Sequence, residues 1–340
     1  MKNFRALLSF CILLFLLPAS ALKAQSIVQI QNGKPSSIRG LSVVDDSVAW
    51  ISGSSGYVAI THNGGKTWQW QQIKGFEKAE FRDIEAFSDK SAVIMSSGTP
   101  ALILKTTDGG ISWQEKYRNA DTAYFFDAMA FADAKHGFIV GDPIKNKFVL
   151  METRDGGNTW AEMKNAPNAL PGEAAFAASG TCLEISKTRI LKIVSGGTQS
   201  RMISTSLDKI NWEYAYIPVK HGQASQGAFS IATGRREALV VGGDYANDKK
   251  TDSIAAEHSV NTLTVFHPCP DSPKGFQSCV TYINDDTFVS TGTPGSNITR
   301  DGGNTWKQID TTSFNVCGKA KHGKLILFAG NGGKTGILKL

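Results

Sequence analysis

The side chains with the clearest chemical potential lie in two polar stretches, GDPIKNK at residues 141–147 and GGDYANDKKTDS at residues 242–253. In each stretch an aspartate, Asp142 or Asp244, directly follows a glycine that we expect to end a strand. Two carboxylates flanking a sugar can carry out glycoside hydrolysis. Polar loop residues on a rigid scaffold can instead bind a ligand without reacting with it, and Tyr245 would contribute to such a surface. The sequence gives no distance between the carboxylates, so both interpretations stay open.

Four further candidates for ligand binding are charged side chains outside these loops, at the predicted beginnings of strands and in their connectors: Arg39, Arg82, Asp127 and Glu173. No candidate sits in a pattern that indicates a cofactor or a metal. The six histidines form no i, i+4 pair, and the chain has no CxxC, no CxxCH and no GxGxxG after a strand. The acidic loop residues lack the EF-hand spacing. We therefore assign no catalytic residue, no metal and no cofactor.

Charge and hydropathy exclude two classes of protein. The formal net charge is +6, from 36 Lys and Arg against 30 Asp and Glu, and the basic residues form no block or stripe. A nucleic-acid partner is therefore not expected. No stretch reaches 18 consecutive apolar residues, so no transmembrane segment is predicted either.

The N-terminus has the order of a secretory signal. Two basic residues precede an apolar run at residues 6–17 and a small-residue stretch, ASA, at residues 19–21. This order predicts a signal peptide over residues 1–24, followed by a single domain over residues 25–340. We expect an exported monomer, either periplasmic or extracellular.

One peptide is repeated along the chain. The string TRDGGNTW occurs at residues 153–160 and again, letter for letter, at residues 299–306. Weaker copies are THNGGKTW at 61–68, TTDGGISW at 106–113 and the shortened SLDKINW at 206–212. Their third positions are separated by 45, 47, 53 and 93 residues, so the last step spans two periods and a decayed copy is expected at residues 257–263, EHSVNTL. A period of 40 to 50 residues indicates a repeat architecture.

Each period contains the signals of four strands and shows no helical periodicity. An apolar strand, a turn, a second strand ending in Gly and a third strand precede the DGG turn, and a Trp begins the fourth strand. This pattern predicts an all-β propeller of four-stranded antiparallel blades. The inner strands align as residues 38–44, 81–87, 125–131, 175–181, 228–234, 276–282 and 314–320, which gives seven blades.

The seventh blade lacks a strand, because the chain ends with GGKTGILKL. The stretch SIVQIQ at residues 26–31, at the other end of the domain, stands where the missing outer strand is needed. We therefore expect this N-terminal strand to close the ring and cover the open edge of the last blade.

The repeated turn has a structural explanation. Gly supplies positive φ, and the Asp side chain accepts backbone N–H groups within the turn. The Trp can pack between blades with a hydrogen-bond partner for its indole N–H. The positions given this structural role are Asn63, Trp68, Asp108, Trp113, Asp155, Trp160, Asp208, Trp212, Asp301 and Trp306.

These turns resemble the Asp-box, or BNR, repeat, whose pattern is S/T-x-D-x-G-x-T-W. Together with the strand context, THNGGKTW, TTDGGISW and TRDGGNTW are most similar to the photosystem II assembly and stability factor family and its bacterial relatives. The resemblance covers nearly the whole domain. It implies a seven-bladed propeller that binds a protein and performs no chemistry. We carry over the fold and the binding character, not a photosystem.

Sialidases also contain Asp-boxes, so a sialidase-like glycoside hydrolase is the alternative. Such an enzyme needs three arginines, a tyrosine activated by a glutamate, and an acidic proton donor. Arg39 in SSIRGL is similar to the first arginine motif of that family, but Arg82 repeats it one blade later. Arg154 and Arg300 lie inside Asp-box turns, away from any common site. The arginines therefore favour a binding protein.

Strand order places the candidate site. In an antiparallel four-stranded blade the Asp-box turns share one face with the first-to-second turns, while the second-to-third loops and the connectors lie on the other. The two polar loops and the charged candidates all belong to that other face. We expect a non-catalytic scaffold there for an envelope protein or a glycan.

Four cysteines lie beyond the predicted signal peptide: Cys182, Cys269, Cys279 and Cys317. Cys279 and Cys317 occupy equivalent inner-strand positions and are expected to face in the same direction around the ring, too far apart to bond. Cys269 and Cys279 flank a Pro-rich connector that can bend. We predict a Cys269–Cys279 disulfide, with four free thiols as the alternative, and a buried thiol at Cys182.

Overall fold

The computed structural model describes residues 25–259 and 265–339 as a ring of seven β-sheets. Two short 3₁₀ helices, Tyr245–Asn247 and Asn331–Gly333, are the only helices in this part of the chain. Among these residues no helix has the length and apolar character needed to cross a membrane. The predicted all-β, seven-bladed propeller is confirmed. The predicted signal peptide, residues 1–24, lies outside the described residues.

The first three blades follow the chain in order, and every neighbouring pair of strands in them is antiparallel. The strands of blade 1 are Ile38–Val43, Ala49–Gly53, Tyr57–Thr61 and Gln69–Gln72. Those of blade 2 are Glu80–Ala86, Ala92–Ser97, Ala101–Thr106 and Gln114–Asn119, and those of blade 3 are Phe126–Phe131, Gly137–Ile144, Lys147–Thr153 and Ala161–Glu162.

The next three blades repeat the arrangement, with blade 5 extended by two short strands, Glu173–Ala174 and Gly196–Gly197. The strands of blade 4 are Leu183–Ile185, Ile190–Val194, Arg201–Ser206 and Lys209–Tyr216. Those of blade 5 are Gln223–Thr233, Glu237–Asp244, Ala255–Ser259 and His267–Pro268, and those of blade 6 are Cys279–Asn284, Thr287–Gly292, Gly295–Thr299 and Lys307–Asp310. The expected decayed Asp-box at residues 257–263 falls partly on residues outside the described part of the chain.

Blade 7 is built from both ends of the domain. Its strands Val316–Lys319, Ile326–Ala329 and Thr335–Lys339 come from the C-terminal end, and the fourth is Ser26–Gln31. The fourth strand is antiparallel to the third, with Ser26 opposite Lys339. The predicted closure of the ring by the N-terminal strand is confirmed.

The inner strand of blade 4 is not where the alignment placed it. Residues 175–181 were expected to form it, but the strand is Leu183–Ile185. Ala and Gly, which have low β propensity, make up most of AAFAASG, and this segment leaves the sheet. Gly180 has φ of +70°, and a Cβ there would lie 2.3 Å from Cγ of Asp83 on blade 2. We call residues 174–181 the crossing segment, because it connects blade 3 to blade 4 across the inner side of the ring.

The Asp-box turns have the predicted internal hydrogen bonds. In blade 3 the Asp155 carboxylate accepts the backbone N–H of Asn158 at 3.0 Å and of Thr159 at 2.9 Å, and the hydroxyl of Thr153 at 2.9 Å. Asn63, Asp108 and Asp301 make the equivalent bonds in their own blades. Burial opposes ionisation, but these bonds lower the pKa of Asp155 to about 2. The shortened turn of blade 4 differs, because Asp208 accepts from Arg189.

The second glycine of the box also packs against the preceding blade. A Cβ on Gly157 of blade 3 would lie 2.8 Å from Val93 of blade 2, and one on Gly65 of blade 1 would lie 2.8 Å from Leu327 of blade 7. Both glycines have φ of +82°. The box therefore needs glycine here for its backbone conformation and for close approach between blades.

The tryptophans of the boxes pack in the core as predicted, but the expected indole partner is mostly missing. Trp68 and Trp306 are both 8% exposed. Within the described residues the indole nitrogens of Trp68, Trp113 and Trp160 have no hydrogen-bond partner. Of the box tryptophans described, only Trp212 has the predicted partner, because its indole N–H donates to the carbonyl of Asn165 at 2.6 Å. The box is thus held together by its carboxylate and hydroxyls, while the indole contributes apolar contact.

The predicted disulfide is wrong. Cys182, Cys269, Cys279 and Cys317 are all free thiols and all buried. Cys269 packs with Leu239 between blades 5 and 6, whereas Cys279 belongs to the apolar cluster around blade 7. The thiol beside Cys279 is that of Cys317, at an Sγ–Sγ distance of 3.7 Å. The expectation that these two side chains would be kept apart by facing in the same direction around the ring is therefore also wrong.

Candidate functional site

A pocket of about 490 Å³ opens on the inner ends of the blades. Its walls are formed by the first residues of the inner strands, by the last residues of the second strands and by the connectors between blades. The pocket therefore lies on the face opposite the Asp-box turns. Five of the seven predicted ligand-binding residues line it: Arg39, Arg82, Asp127, Asp142 and Tyr245. The crossing segment contributes residues 174–178 to its wall. The sequence thus located the face and most of the charged side chains, and their role in ligand binding stays a prediction.

Two arginines from neighbouring inner strands face this pocket. Arg39 Nη1 donates to the carbonyl of Ala178 at 3.0 Å, and Arg82 Nη1 donates to that of Ala177 at 3.4 Å. Burial and the charge of Arg82 lower the pKa of Arg39 to about 10, while Glu80 opposes the shift. In the part of the chain that the structure describes, neither guanidinium lies within ion-pair distance of a carboxylate, and Nε of Arg82 has no partner. The pair therefore presents positive charge to the pocket without a direct ion pair among the described residues.

Two aspartates of blade 3 stand next to the arginines, but they are poor counter-ions. Asp127 is 1% exposed, and neither carboxylate oxygen has a hydrogen-bond partner among the described residues. Burial, and then the charge of Asp142, raise the pKa of Asp127 well above its usual range, against the opposing effect of Arg82. Burial raises the pKa of Asp142 to about 6, although Ala175 N–H donates to it at 3.3 Å. Asp127 therefore favours the neutral form, whereas Asp142 is ionised above about pH 6 but lies outside ion-pair distance of the arginines.

Aromatic rings form the opposite wall. Phe176 of the crossing segment stacks on Phe229 of blade 5, with ring centroids 3.8 Å apart. Phe276 and Tyr245 meet Phe229 edge to face at 4.8 and 6.1 Å. Tyr245 is 53% exposed and belongs to the 3₁₀ helix in the long loop of blade 5. The pocket thus has a cationic side on blades 1 and 2 and an aromatic side on blades 5 and 6.

The other two predicted site residues have structural partners instead. Glu173 is buried outside the pocket lining and forms an ion pair with Arg201, whose Nε donates to it at 2.8 Å. Asp244 caps the short helix by accepting Ala246 N–H at 3.0 Å, and it also accepts from the side chain of Gln226. Burial opposes ionisation of Asp244, but these bonds lower its pKa.

Sequence reasoning missed the aromatic wall and the polar end of the pocket. Phe176, Phe229, Asn315 and Asn331 line it without having been predicted. Phe276 is the first residue of the aligned inner strand of blade 6. The equivalent residue in blade 2 is Phe81, directly before Arg82. The recurrence of Phe at this position was a usable signal. No such sequence signal marked Phe176, because its position depends on the path of the crossing segment.

The arrangement supports binding more readily than hydrolysis. Arg154 lies in an Asp-box turn, where it pairs with Glu152, so it does not join Arg39 and Arg82 in a triad. Tyr245 contacts phenyl rings, and Glu173 is held by Arg201. Among the described residues no three His, Cys, Asp or Glu side chains are grouped to hold a metal ion. The described groups can attract an anion and cover an apolar group.

The comparison with family models supports the resemblance drawn from the Asp-boxes. Residues 19–120 match the model described as photosynthesis system II assembly factor YCF48. The matched region contains the first two blades. No curated protein matches the chain by sequence.

Solved structures extend the likeness to the whole ring. The chain is similar to "YCF48 bound to D1 peptide" with a TM-score of 0.67 at 15% identity, over 93% of this chain and 97% of that one. It is similar to YCF48 from Cyanidioschyzon merolae with a TM-score of 0.63 at 15% identity, over 92% and 98% of the two chains. The chain resembles a YCF48-type BNR propeller.

An enzyme has a comparable fold. Virginiamycin B lyase from Staphylococcus aureus matches with a TM-score of 0.65 at 13% identity, over 93% of this chain and 99% of that one. At such identities the likeness establishes the seven-bladed fold. The function has to be argued from the pocket, because this fold carries both binding proteins and enzymes.

Proposed function

We propose that this protein is a non-catalytic binding or assembly scaffold whose pocket holds an acidic, partly apolar segment of a partner polypeptide. The observation that carries the proposal is the pair Arg39 and Arg82, which faces the pocket without a carboxylate ion pair in the described chain. Two neighbouring guanidinium groups repel each other, and partial burial weakens their hydration. An anionic group between them removes both costs at once.

The ligand's second feature follows from the aromatic wall. An anion alone would leave Tyr245, which is 53% exposed beside the buried rings of Phe229 and Phe276, in contact with water. A side chain with apolar surface beside the acidic group covers that ring. A free carboxylate followed by an apolar residue meets both requirements, and extended polypeptide supplies the two at adjacent positions.

A polypeptide is a better fit than a glycan on two grounds. Acidic sugars supply the anion, but the wall opposite offers four rings and few hydrogen-bonding groups for hydroxyls. The structural neighbour named as YCF48 bound to a D1 peptide is a propeller of the same fold with a peptide ligand. We further propose that the partner is an envelope protein, since the N-terminal residues have the order of an export signal.

The experiment is a capture from native envelope extract in parallel with a panel of acidic glycans, followed by titration with synthetic segments of the captured protein. Each acidic peptide is matched by one with Gln or Asn in place of the acid. We expect the amide peptides, and the variants Arg39→Ala and Arg82→Ala, to bind at least about tenfold more weakly. Arg154→Ala, on the Asp-box face, is the control and should bind as the wild type does.

Two results would contradict the proposal. Equal affinity of wild type and Arg82→Ala for every captured peptide would remove the pocket from the interaction. Turnover of a glycan that disappears in Asp142→Asn would favour the sialidase-like alternative, because that substitution removes a candidate acid without removing the arginines.

A further inference from the structure

Two thiols from adjacent blades meet at the inner side of the ring. Cys279 is the first residue of the inner strand of blade 6, and Cys317 is the second residue of the inner strand of blade 7. Their Sγ atoms are 3.7 Å apart, and the side chains are 0% and 2% exposed. The sulfurs are thus in contact, and they have to approach each other to about 2.05 Å to form a disulfide.

The two sulfurs have different surroundings. Cys279 Sγ is approached by three donors: the backbone N–H of Cys317 at 3.4 Å, the thiol of Cys317 at 3.7 Å and the hydroxyl of Thr181 at 3.7 Å. Burial opposes ionisation of Cys279, but hydrogen bonds from Cys317, Thr181 and Ser179 outweigh it and lower the pKa of the thiol. Burial, and then the neighbouring sulfur, raise the pKa of Cys317. The pair is therefore asymmetric, with Cys279 as the better nucleophile.

The other described cysteines have neither a neighbouring thiol nor a lowered pKa. Burial raises the pKa of Cys182 well above its usual range, and burial raises that of Cys269 to about 12. Neither lies beside a second thiol in the described part of the chain. They serve as internal references for the reactivity of a buried cysteine in this fold.

We propose that Cys279 and Cys317 form an oxidation site, in which Cys279 reacts with a small hydroperoxide and Cys317 completes a disulfide between blades 6 and 7. The Cys279 thiol loses its proton, its sulfur attacks the peroxide oxygen that bears hydrogen, the O–O bond breaks, and the leaving alkoxide or hydroxide takes up a proton. Cys279 is then a sulfenic acid. The Cys317 thiol displaces its hydroxyl, an S–S bond forms and water leaves. Two thiols and one hydroperoxide thus give one disulfide, one alcohol or water, and one further water.

The thiol pair lies close to the pocket. Ser278, the residue before Cys279, lines the pocket, and the crossing segment forms part of the pocket wall before its residues Ser179 and Thr181 reach Cys279. We therefore expect a hydroperoxide to approach the sulfur from the pocket, by displacement of this irregular segment. The oxidation site is separate from the anion-binding role of Arg39 and Arg82, and it stands without the proposed function.

The test treats the reduced, purified protein with hydrogen peroxide and digests it with trypsin without reduction. Cys279 and Cys317 fall on separate peptides, residues 275–300 and 308–319. We expect these two peptides to become linked in mass spectra, and the Cys279 thiol to be lost at least roughly tenfold faster than those of Cys182 and Cys269.

Two variants assign the roles of the sulfurs. Cys317→Ser should stop at a sulfenic acid on Cys279 that a dimedone probe traps, while Cys279→Ser should leave Cys317 unmodified. A melting curve for each variant shows that it is folded. If wild-type Cys182 or Cys269 reacts as fast as Cys279, or if Cys279 proceeds to sulfinic acid without linkage to Cys317, the assignment is wrong.

Discussion

Replacing Trp68 by alanine tests whether the Asp-box tryptophans serve only the packing of blades. Trp68 is 8% exposed and belongs to an apolar cluster shared by blades 7 and 1, with Ala59 and Leu327 among its members. Truncating a buried Trp to Ala costs about 3–5 kcal/mol. The indole N–H of Trp68 is buried without a hydrogen-bond partner among the described residues, so its removal relieves an unfavourable contribution of about 1 kcal/mol. We therefore expect the free energy of unfolding to fall by about 3 kcal/mol.

The assay is urea unfolding, compared with two matched variants. Trp68→Phe keeps an aromatic ring and also removes the unpaired N–H, so we expect it to cost about 1 kcal/mol or less. Ile111→Ala lies in the Asp-box turn of blade 2 at 83% exposure and should change the unfolding free energy by less than about 0.5 kcal/mol. The pocket is on the other face, so folded Trp68→Ala should keep the affinity of the wild type.

The reasoning is refuted by either of two results. A cost below about 1 kcal/mol for Trp68→Ala would show that the seam between blades 7 and 1 does not depend on the indole. Loss of ligand binding at unchanged stability would show that the Asp-box face takes part in function.

Three further predictions concern closure, a buried ion pair and pH. Deleting residues 26–31 exposes the edge of blade 7 and should lower the melting temperature by well over about 5 °C, and an unchanged melting curve contradicts closure by this strand. Glu173→Ala leaves Arg201 buried without its partner and should cost about 3–5 kcal/mol in urea unfolding, against little for Glu115→Ala in an exposed pair. The folded-state pKa of Asp142, raised to about 6, makes the folded protein bind a proton that the unfolded chain has lost, so stability should fall as pH rises from about 4 to 6. Asp142→Asn should flatten that slope and gain about 1–3 kcal/mol at pH 7, and an unchanged slope would mean that another group titrates.

Much of the fold could be predicted because the Asp-box is a local signal. Its Thr, Asp and two Gly residues make bonds and contacts that span only a few positions or reach the adjacent blade, so spacing alone located the blades. The inner strand of blade 4 was misplaced because AAFAASG leaves its sheet to contact Arg39 and Arg82, which lie more than 90 residues away in the sequence. No local pattern encodes that contact.

The candidate site was predicted in part for the same reason. Arg39, Arg82 and Asp127 stand at the same end of successive inner strands, and repeat alignment places such residues together. Phe176 and Phe229 meet because the crossing segment reaches blade 5, and the Cys279–Cys317 contact depends on side-chain directions across two adjacent blades, which sequence alignment does not give. Glu173 and Asp244 were chosen for their positions, but only the structure shows that Arg201 and Ala246 bind them.

The pairing of Ser26–Gln31 with Thr335–Lys339 makes closure of the ring depend on two strands from opposite ends of the domain. The strand Ser26–Gln31 has no partner in its blade until Thr335–Lys339 has been synthesised, so a chain that lacks the second of these strands retains unpaired strand edges. Such a product is open to proteases and to pairing with other copies, whereas pairing of the two strands covers both facing edges in one step. Folding of this domain therefore distinguishes chains that contain both strands from chains that lack one of them.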